Sequence, residues 1–390
     1  MITVTEARNH LFSLISPQPQ EEVPLIHAAG RVLAQDAVAR RDQPPFAASA
    51  MDGYAVKSAE VERHAMFKVI GESAAGHRFE GQVGAGQAAR IFTGAPMPEG
   101  ADFVVIQEDV DRKGDLISIT GSPGNKGNVR PVGGDFRSGS RLSAPRLLRP
   151  EDVALLASMN VPRVQVARRP VVALISTGDE LVMPGEDPGP DQIIASNTFG
   201  LKALLEGAGA DVQMLPIARD TVSSLETAFG LAEGADLIIT IGGASVGDHD
   251  LVGPVAESLG MQRAFYKVLM RPGKPLMAGK MGDAAMVGLP GNPVSAMICG
   301  VIFILPMIRA MLGLGTDMPP LLSAPLAADL AANGGREHYM RASLEGGEMT
   351  VFTNQDSSLL SVLSGANALV VRAPDDPAHK AGEQVVFLPL

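Results

Sequence analysis

Four groups of residues have types and spacing that could support chemistry. The first is Gly242-Gly243-Ala244-Ser245-Val246-Gly247-Asp248-His249-Asp250. Its glycines would let backbone N–H groups approach an anion, Ser245 could donate to a phosphoryl oxygen, and nearby carboxylates could hold Mg²⁺. A glycine-rich turn with solvated acids accounts for the same residues. The second is a pair of acidic turns, Ser176-Thr177-Gly178-Asp179-Glu180-Leu181 and Ala218-Arg219-Asp220-Thr221. Together with the first loop they offer a shared cation site, although Asp220 could equally cap the helix that follows. The third, Lys267-Val268-Leu269-Met270-Arg271-Pro272-Gly273-Lys274-Pro275, is basic, and its prolines lower the entropy of presenting Arg271 and Lys274 to an oxyanion. The fourth, Leu289-Pro290-Gly291-Asn292-Pro293-Val294-Ser295, would set Ser295 and backbone donors at the positive end of a helix, or simply start that helix.

Gly243-Ala244-Ser245-Val246-Gly247 also satisfies the nucleophile-elbow pattern of serine hydrolases. A triad would need an acid and then a histidine later in the chain, and His338 or His379 could serve only from outside the central sheet. The histidines and the single Cys299 show no paired metal-ligand spacing. Neither a Gly-x-x-x-x-Gly-Lys loop nor a Gly-x-Gly-x-x-Gly fingerprint occurs.

These loops need a scaffold. From residue 170 the pattern alternates: strand 171–176, helix from about 197 to 206, strand 211–217, helix from about 221 to 233, strand 236–241. Such alternation predicts a parallel sheet covered on both faces, with ligands at the carboxyl ends of its strands. Thr3 and Glu6 form a capping box for a first helix over about 5–15. Short β-like runs at 67–70, 89–92 and 102–110 predict a mostly β insertion, and Pro150-Glu151-Asp152 opens another helix. After Pro319-Pro320, runs 341–345 and 348–352 flank Gly346-Gly347 as a hairpin. The expected organisation is a discontinuous N-terminal region (1–44 and 128–169), a mostly β insertion domain (45–127), an α/β domain (170–312) and a C-terminal β domain (319–390).

At 390 residues the chain exceeds a single ordinary core. Its net charge of −11 disfavours nucleic acid and anionic membranes, and the scarcity of aromatics (4%, no Trp) leaves few stacking platforms. One cysteine excludes an intrachain disulfide and fits a reducing cytoplasm; no export signal is visible at the start. Residues 296–308 form the most membrane-like run, yet they are too few to span a bilayer and suit a buried helix.

In order along the chain, 45–55 (Pro-Phe-Ala-Ala-Ser-Ala-Met-Asp-Gly-Tyr-Ala), 93–102 (Thr-Gly-Ala-Pro-Met-Pro-Glu-Gly-Ala-Asp), 176–181, 242–250, 271–275 and 289–295 closely resemble the molybdopterin molybdenumtransferase (MoeA) family, which includes the C-terminal domain of gephyrin. The resemblance implies a multidomain α/β plus β fold. Its centre would be a three-layer α/β, MogA-like molybdopterin-binding domain, and its C-terminal domain would be β-barrel-like. It also implies a cytoplasmic homodimer that inserts molybdate into adenylylated molybdopterin and releases AMP with Mg²⁺. Partners would be the molybdopterin adenylyltransferase and cofactor-accepting molybdoenzymes.

By that resemblance Asp52, Thr93, Asp135, Glu180 and Asp250 match catalytic positions, with Glu180 and Asp250 at the metal. Arg130, Asp220, Gly242, Gly243, Ser245, Gly247 and Lys267 match positions that bind nucleotide and pterin. Arg271, Lys274, Ser295, Arg341 and Ser357 match the molybdate pocket. Three positions depart from the family pattern: Arg271 for Lys, Gly134 for Glu, and Asp356 for Gly, the last placing an acid beside the presumed oxyanion pocket. Two other functions fit parts of the pattern. Molybdopterin adenylyltransferase chemistry would need only residues 170–312, and a non-enzymatic scaffold would tolerate loss of Asp250 and Lys274.

Overall fold

The computed structural model describes residues 1–124, 126–243 and 251–390. The chain divides into two compact units, a larger one of residues 1–21, 30–34 and 166–390 and a smaller one of 22–29 and 35–165.

The larger unit is built on a six-stranded sheet in the order Asp211–Met214, Val171–Ser176, Leu237–Ile241, Ala284–Leu289, Met277–Met281, Gln262–Tyr266. The first four run parallel, with Val172 beside Leu237 and Leu237 beside Ala285; the last two are antiparallel. Leu237–Ile241 is buried at every position, as a strand covered on both faces must be. Alternation divides the neighbouring strand between two cores. Val172 and Leu174 join Leu201, Leu205 and the helical run Pro293–Met311 on one face, while Ala173 and Ile175 join Leu225, Phe229, Val252 and Val255 on the other. Pro293–Met311 is long and apolar enough to cross a membrane, yet 72% of its apolar window is buried in the protein. It is the core helix expected from 296–308. Its middle turn, Gly300–Ile304, widens to π geometry just before Pro306, a residue with no N–H to donate to a preceding turn.

The first helix forms at Val4–Ser13 with the expected box: Glu6 N–H donates to Thr3 Oγ1 (3.2 Å) and Thr3 N–H to Glu6 Oε2 (2.8 Å). Sequence grouped it with 128–169. In the structure it belongs to the larger unit, because Val4, Ala7 and Leu11 are buried in that unit's core.

Residues 319–390 supply a second sheet to the larger unit, ordered Met270–Arg271, Glu337–Glu345, Ala368–Arg372, Gln384–Pro389, Leu322–Pro325, with Glu348–Val351 paired to Glu337–Glu345. A bridge from Leu326 to Met349 joins the Leu322–Pro325 edge to strand Glu348–Val351 in a barrel-like manner. The hairpin turns at Gly346 and Gly347 (φ +58° and +88°), where both residues need positive φ. Sequence alone did not reveal the first strand: two residues of the basic run join this sheet, pairing in parallel with Glu337 and His338.

The smaller unit contains a six-stranded sheet, ordered Phe103–Ile106, Gly53–Val56, Gln87–Ile91, Met66–Ser73, Leu116–Ile119, Val110–Lys113, around Tyr54, Val56, Phe67, Phe103, Ile117 and Ile119. Gly53 is required there, since a Cβ would lie 2.0 Å from the carbonyl oxygen of Val105. Helix Pro150–Ser158 begins with the predicted proline, and the buried Asp152 accepts from Arg149 N–H (3.0 Å) and Arg146.

Candidate active site

In the larger unit, the carboxyl ends of the parallel strands are tied to one another by backbone hydrogen bonds. Thr177 N–H donates to Ile241 O (3.0 Å), Gly178 N–H to Ala218 O (3.1 Å), and Gly242 N–H to Leu289 O (3.1 Å). Gly242 and Gly243 both have positive φ, and a Cβ on Gly242 would meet Thr177 O at 2.7 Å. Gly291 packs against Gly242. The sequence therefore needs small residues where these loops meet, and backbone rather than side chain faces the strand ends. Ala244 to Asp250, which include Ser245, Gly247 and Asp250, lie outside the described residues.

Glu180 is exposed and its carboxylate lies over Gly178, where a Cβ would come within 2.3 Å of Oε2. Asp220 is exposed, and its N–H donates to Asp179 Oδ1 (3.2 Å). The cap of the next helix is Thr221, whose Oγ1 accepts from Ser224 N–H. The capping alternative for Asp220 therefore gives way. Sequence reasoning missed Arg219, which donates to the carbonyls of Asp179 (2.9 Å) and Leu181 (3.2 Å) and so fixes the acidic turn. Its position at a strand end, beside an acid already singled out, was the available signal.

The basic run forms a folded loop. Lys267 adopts φ +67°, uncommon for a residue with a side chain, and its Nζ stands 5.0 Å from the Tyr266 ring centroid. Val268 and Leu276 N–H groups both donate to Lys274 O, which leaves the Lys274 side chain on the exposed side. Gly273 (φ +104°) sits against Cys299, where a Cβ would approach Sγ to 2.5 Å. Cys299 is fully buried, and burial pushes its thiol pKa up, so it is a core residue. Arg271 is exposed and its strand partner is His338. Burial, reinforced by Arg271, Arg336, Arg372 and Arg341, pushes the pKa of His338 down to about 4.

The start of helix Pro293–Cys299 meets the loop after the C-terminal hairpin. Asn292 Nδ2 donates to Ser357 Oγ (3.0 Å) and Val294 N–H to Ser357 O (3.1 Å). One of the helix-start donors expected to face an anion is thus taken by Ser357, while Ser295 is 4% exposed in the first turn. Arg341 is enclosed by the protein. It is 1% exposed, and its guanidinium donates to the carbonyls of Asp356 (2.9 Å), Leu359 (3.3 Å) and Asn354 (3.4 Å) and to Gln355 Oε1 (3.3 Å). Its guanidinium is directed onto the loop that carries Ser357. The Asp356 carboxylate, held below the usual range by the Ser358 N–H and hydroxyl and by Arg341, is turned onto its own loop. Gln355, which sequence did not single out, also accepts from Arg341 N–H.

The smaller unit holds its own group. Thr93 donates to Asp52 Oδ1 through both N–H (2.7 Å) and hydroxyl (2.8 Å), and with Arg90 nearby these bonds keep the Asp52 pKa low. Arg130 and Asp135 line one cavity of about 620 Å³ with Gly94, Phe46, Pro131 and Gly134. Where relatives were expected to carry Glu, Gly134 thus leaves space beside Asp135.

Of the two histidines that the serine-hydrolase alternative calls on, neither is free among the described residues. His379 is held by Asp376 (3.2 Å) and Glu383 (3.1 Å), and His338 is buried among arginines.

Family models match the chain in sequence: the MoeA N-terminal region (domain I and II) over residues 2–160, a probable molybdopterin binding domain over 173–310, and the MoeA C-terminal region (domain IV) over 323–390. The molybdopterin molybdenumtransferase of Haemophilus influenzae is 35% identical over 399 residues, covering 100% of this chain and 98% of that protein. That of a Nostoc species is 35% identical over 416 residues, covering 100% and 94%. The crystal structure of the molybdopterin biosynthesis moeA protein from Pyrococcus horikoshii OT3 superposes with a TM-score of 0.86 at 27% identity over the whole of both chains. Because sequence likeness runs the full length and the architecture follows it, the chain belongs to the molybdopterin molybdenumtransferase family.

Proposed function

We propose that this chain inserts molybdate into the dithiolene of adenylylated molybdopterin and releases AMP. The observation that carries the reading is the contact of Asn292 and Val294 with Ser357, which brings the C-terminal loop to the carboxyl edge of the parallel sheet. There the backbone at Gly242 and Gly243 can approach a phosphate, while Arg271 and Lys274, on the loop that packs against Cys299 of helix Pro293–Cys299, offer exposed cations for a tetrahedral dianion. A dianion leaves water only for converging charge and donors, which scattered surface cations do not provide.

Mg²⁺ fits as a shared ion. It commonly takes one or two carboxylates and completes its shell with substrate phosphates and water. Glu180 is an exposed carboxylate at the strand ends, and the described residues hold no cluster of three metal-binding side chains that would form a closed site alone. The ion would neutralise phosphate charge, while Glu180 and the Arg219-held turn keep it in place. In this reading the protein works in the cytoplasm as a homodimer, receives its substrate from a molybdopterin adenylyltransferase and passes its product to molybdoenzymes. A monomer in sedimentation at micromolar concentration would remove the dimer.

The test is to incubate purified protein with adenylylated molybdopterin, Mg²⁺ and molybdate and to follow AMP. Release that depends on molybdate is expected. Consumption of ATP with pyrophosphate release would instead identify an adenylyltransferase, and AMP release indifferent to molybdate would overturn the proposal.

A further inference from the structure

We propose that Arg90 is a positioning residue for the Asp52–Thr93 pair, locking the two strand ends that carry it. Strands Gly53–Val56 and Gln87–Ile91 are antiparallel neighbours, with Gly53 opposite Ile91 and Tyr54 opposite Arg90. Asp52 immediately precedes the first strand and Thr93 follows two residues after Ile91, so any shear between the strands would separate them. The Arg90 guanidinium stands where it can resist that shear. Its central carbon lies 5.0 Å from the Tyr54 ring centroid and 4.7 Å from that of Phe92. Both rings lie within cation–π distance of the guanidinium, whose N–H groups also make hydrogen bonds.

Those edge donors close a ring around Asp52. Arg90 Nη1 donates to Gly53 O (3.0 Å) and Nη2 to Gln107 Oε1 (2.7 Å), and Gln107 N–H donates to Asp52 O (3.0 Å). The backbone of Asp52 is thereby held on one side by Gln107, and its carboxylate on the other by Thr93 through Oδ1. The two Thr93 hydrogen bonds are the main cause of the low Asp52 pKa, and the Arg90 charge lowers it further; Glu108 accepts from the Gln107 amide (3.3 Å) and so touches the same network. A lysine could keep the charge but not the two separate edge donors to Gly53 and Gln107.

This inference rests on the reading of Asp52 as a functional carboxylate, so the test includes Asp52→Asn. Rates of molybdate-dependent AMP release are measured against pH for the full-length protein and for Arg90→Met, Arg90→Gln and Arg90→Lys. Arg90→Met and Arg90→Gln should lose on the order of tenfold in kcat, the scale of a slightly misplaced reacting group, with KM little changed. Their acid limb should move to higher pH, because removing the positive charge makes Asp52 easier to protonate. Arg90→Lys should keep the wild-type acid limb while losing part of kcat. A wild-type acid limb and kcat in the two neutral variants would overturn the proposal. If neither neutral variant folds, the lysine variant decides, since wild-type kcat there means the forked guanidinium does no positioning. Full activity of Asp52→Asn would instead sink the functional reading of Asp52, a result the arginine variants cannot mimic.

Discussion

Replacing Arg341 by leucine should unfasten the loop that carries Ser357. The guanidinium is 1% exposed and donates to three backbone carbonyls and a glutamine oxygen between Asn354 and Leu359, at 2.9 to 3.4 Å. Hydrogen bonds to a charged group contribute about 1.5–3 kcal/mol each when well formed, but the three longer ones here fall short of that. Part of the loss is recovered as water reaches the freed carbonyls, so the net cost is roughly 3–5 kcal/mol. Denaturant unfolding should show that loss. Hydrogen exchange should show its location: the Val294 amide, bonded to Ser357 O, should lose protection while amides in strand Leu237–Ile241 keep theirs until global unfolding. The molybdate concentration needed for turnover should rise as a consequence of the loosened Ser357 loop. Unchanged stability and Val294 protection, together with a raised molybdate requirement, would refute this reasoning and return Arg341 to direct contact with the oxyanion.

Two further outcomes follow from the same region. His338 is held neutral, with a pKa of about 4 against 6.5 when unfolded, so between those values the unfolded chain binds a proton that the folded chain does not. Stability should therefore be flat above pH 6.5 and fall as pH drops toward 4, by about 3 kcal/mol from this one group. His338→Leu should flatten that part of the stability–pH curve, and an unaltered curve would contradict the assignment. Gly273→Ala adds a Cβ at φ +104° and 2.5 Å from Cys299 Sγ, which should cost about 2–5 kcal/mol from strain and overpacking and displace Arg271 and Lys274. Thermal unfolding at wild-type temperature would show that the loop relaxes freely and that this packing does not set its shape.

Much of the scaffold is legible locally. Largely apolar runs mark strands Val171–Ser176 and Leu237–Ile241, the Thr3–Glu6 pair marks the first helix, and Gly346-Gly347 marks the hairpin, because each environment imposes its own period or dihedral angles. The same letters marked the acidic turns and the basic run as candidates for chemistry, although solvated turns would carry the same residues. Residue types, however, do not say which way a charge points. Arg341 carries the charge an oxyanion needs, yet a hairpin and a following loop that enclose it turn its donors onto their own carbonyls. Ser357 reaches Asn292 across 65 residues of chain, and Met270–Arg271 pairs with Glu337–His338 at a similar separation. Tertiary closure alone decided these contacts, as it decided that the first helix packs with the α/β core. Periodicity and capping record the environment of a residue within a few positions, whereas the partner of a buried donor is selected by which distant segments can close together while leaving no polar group unpaired.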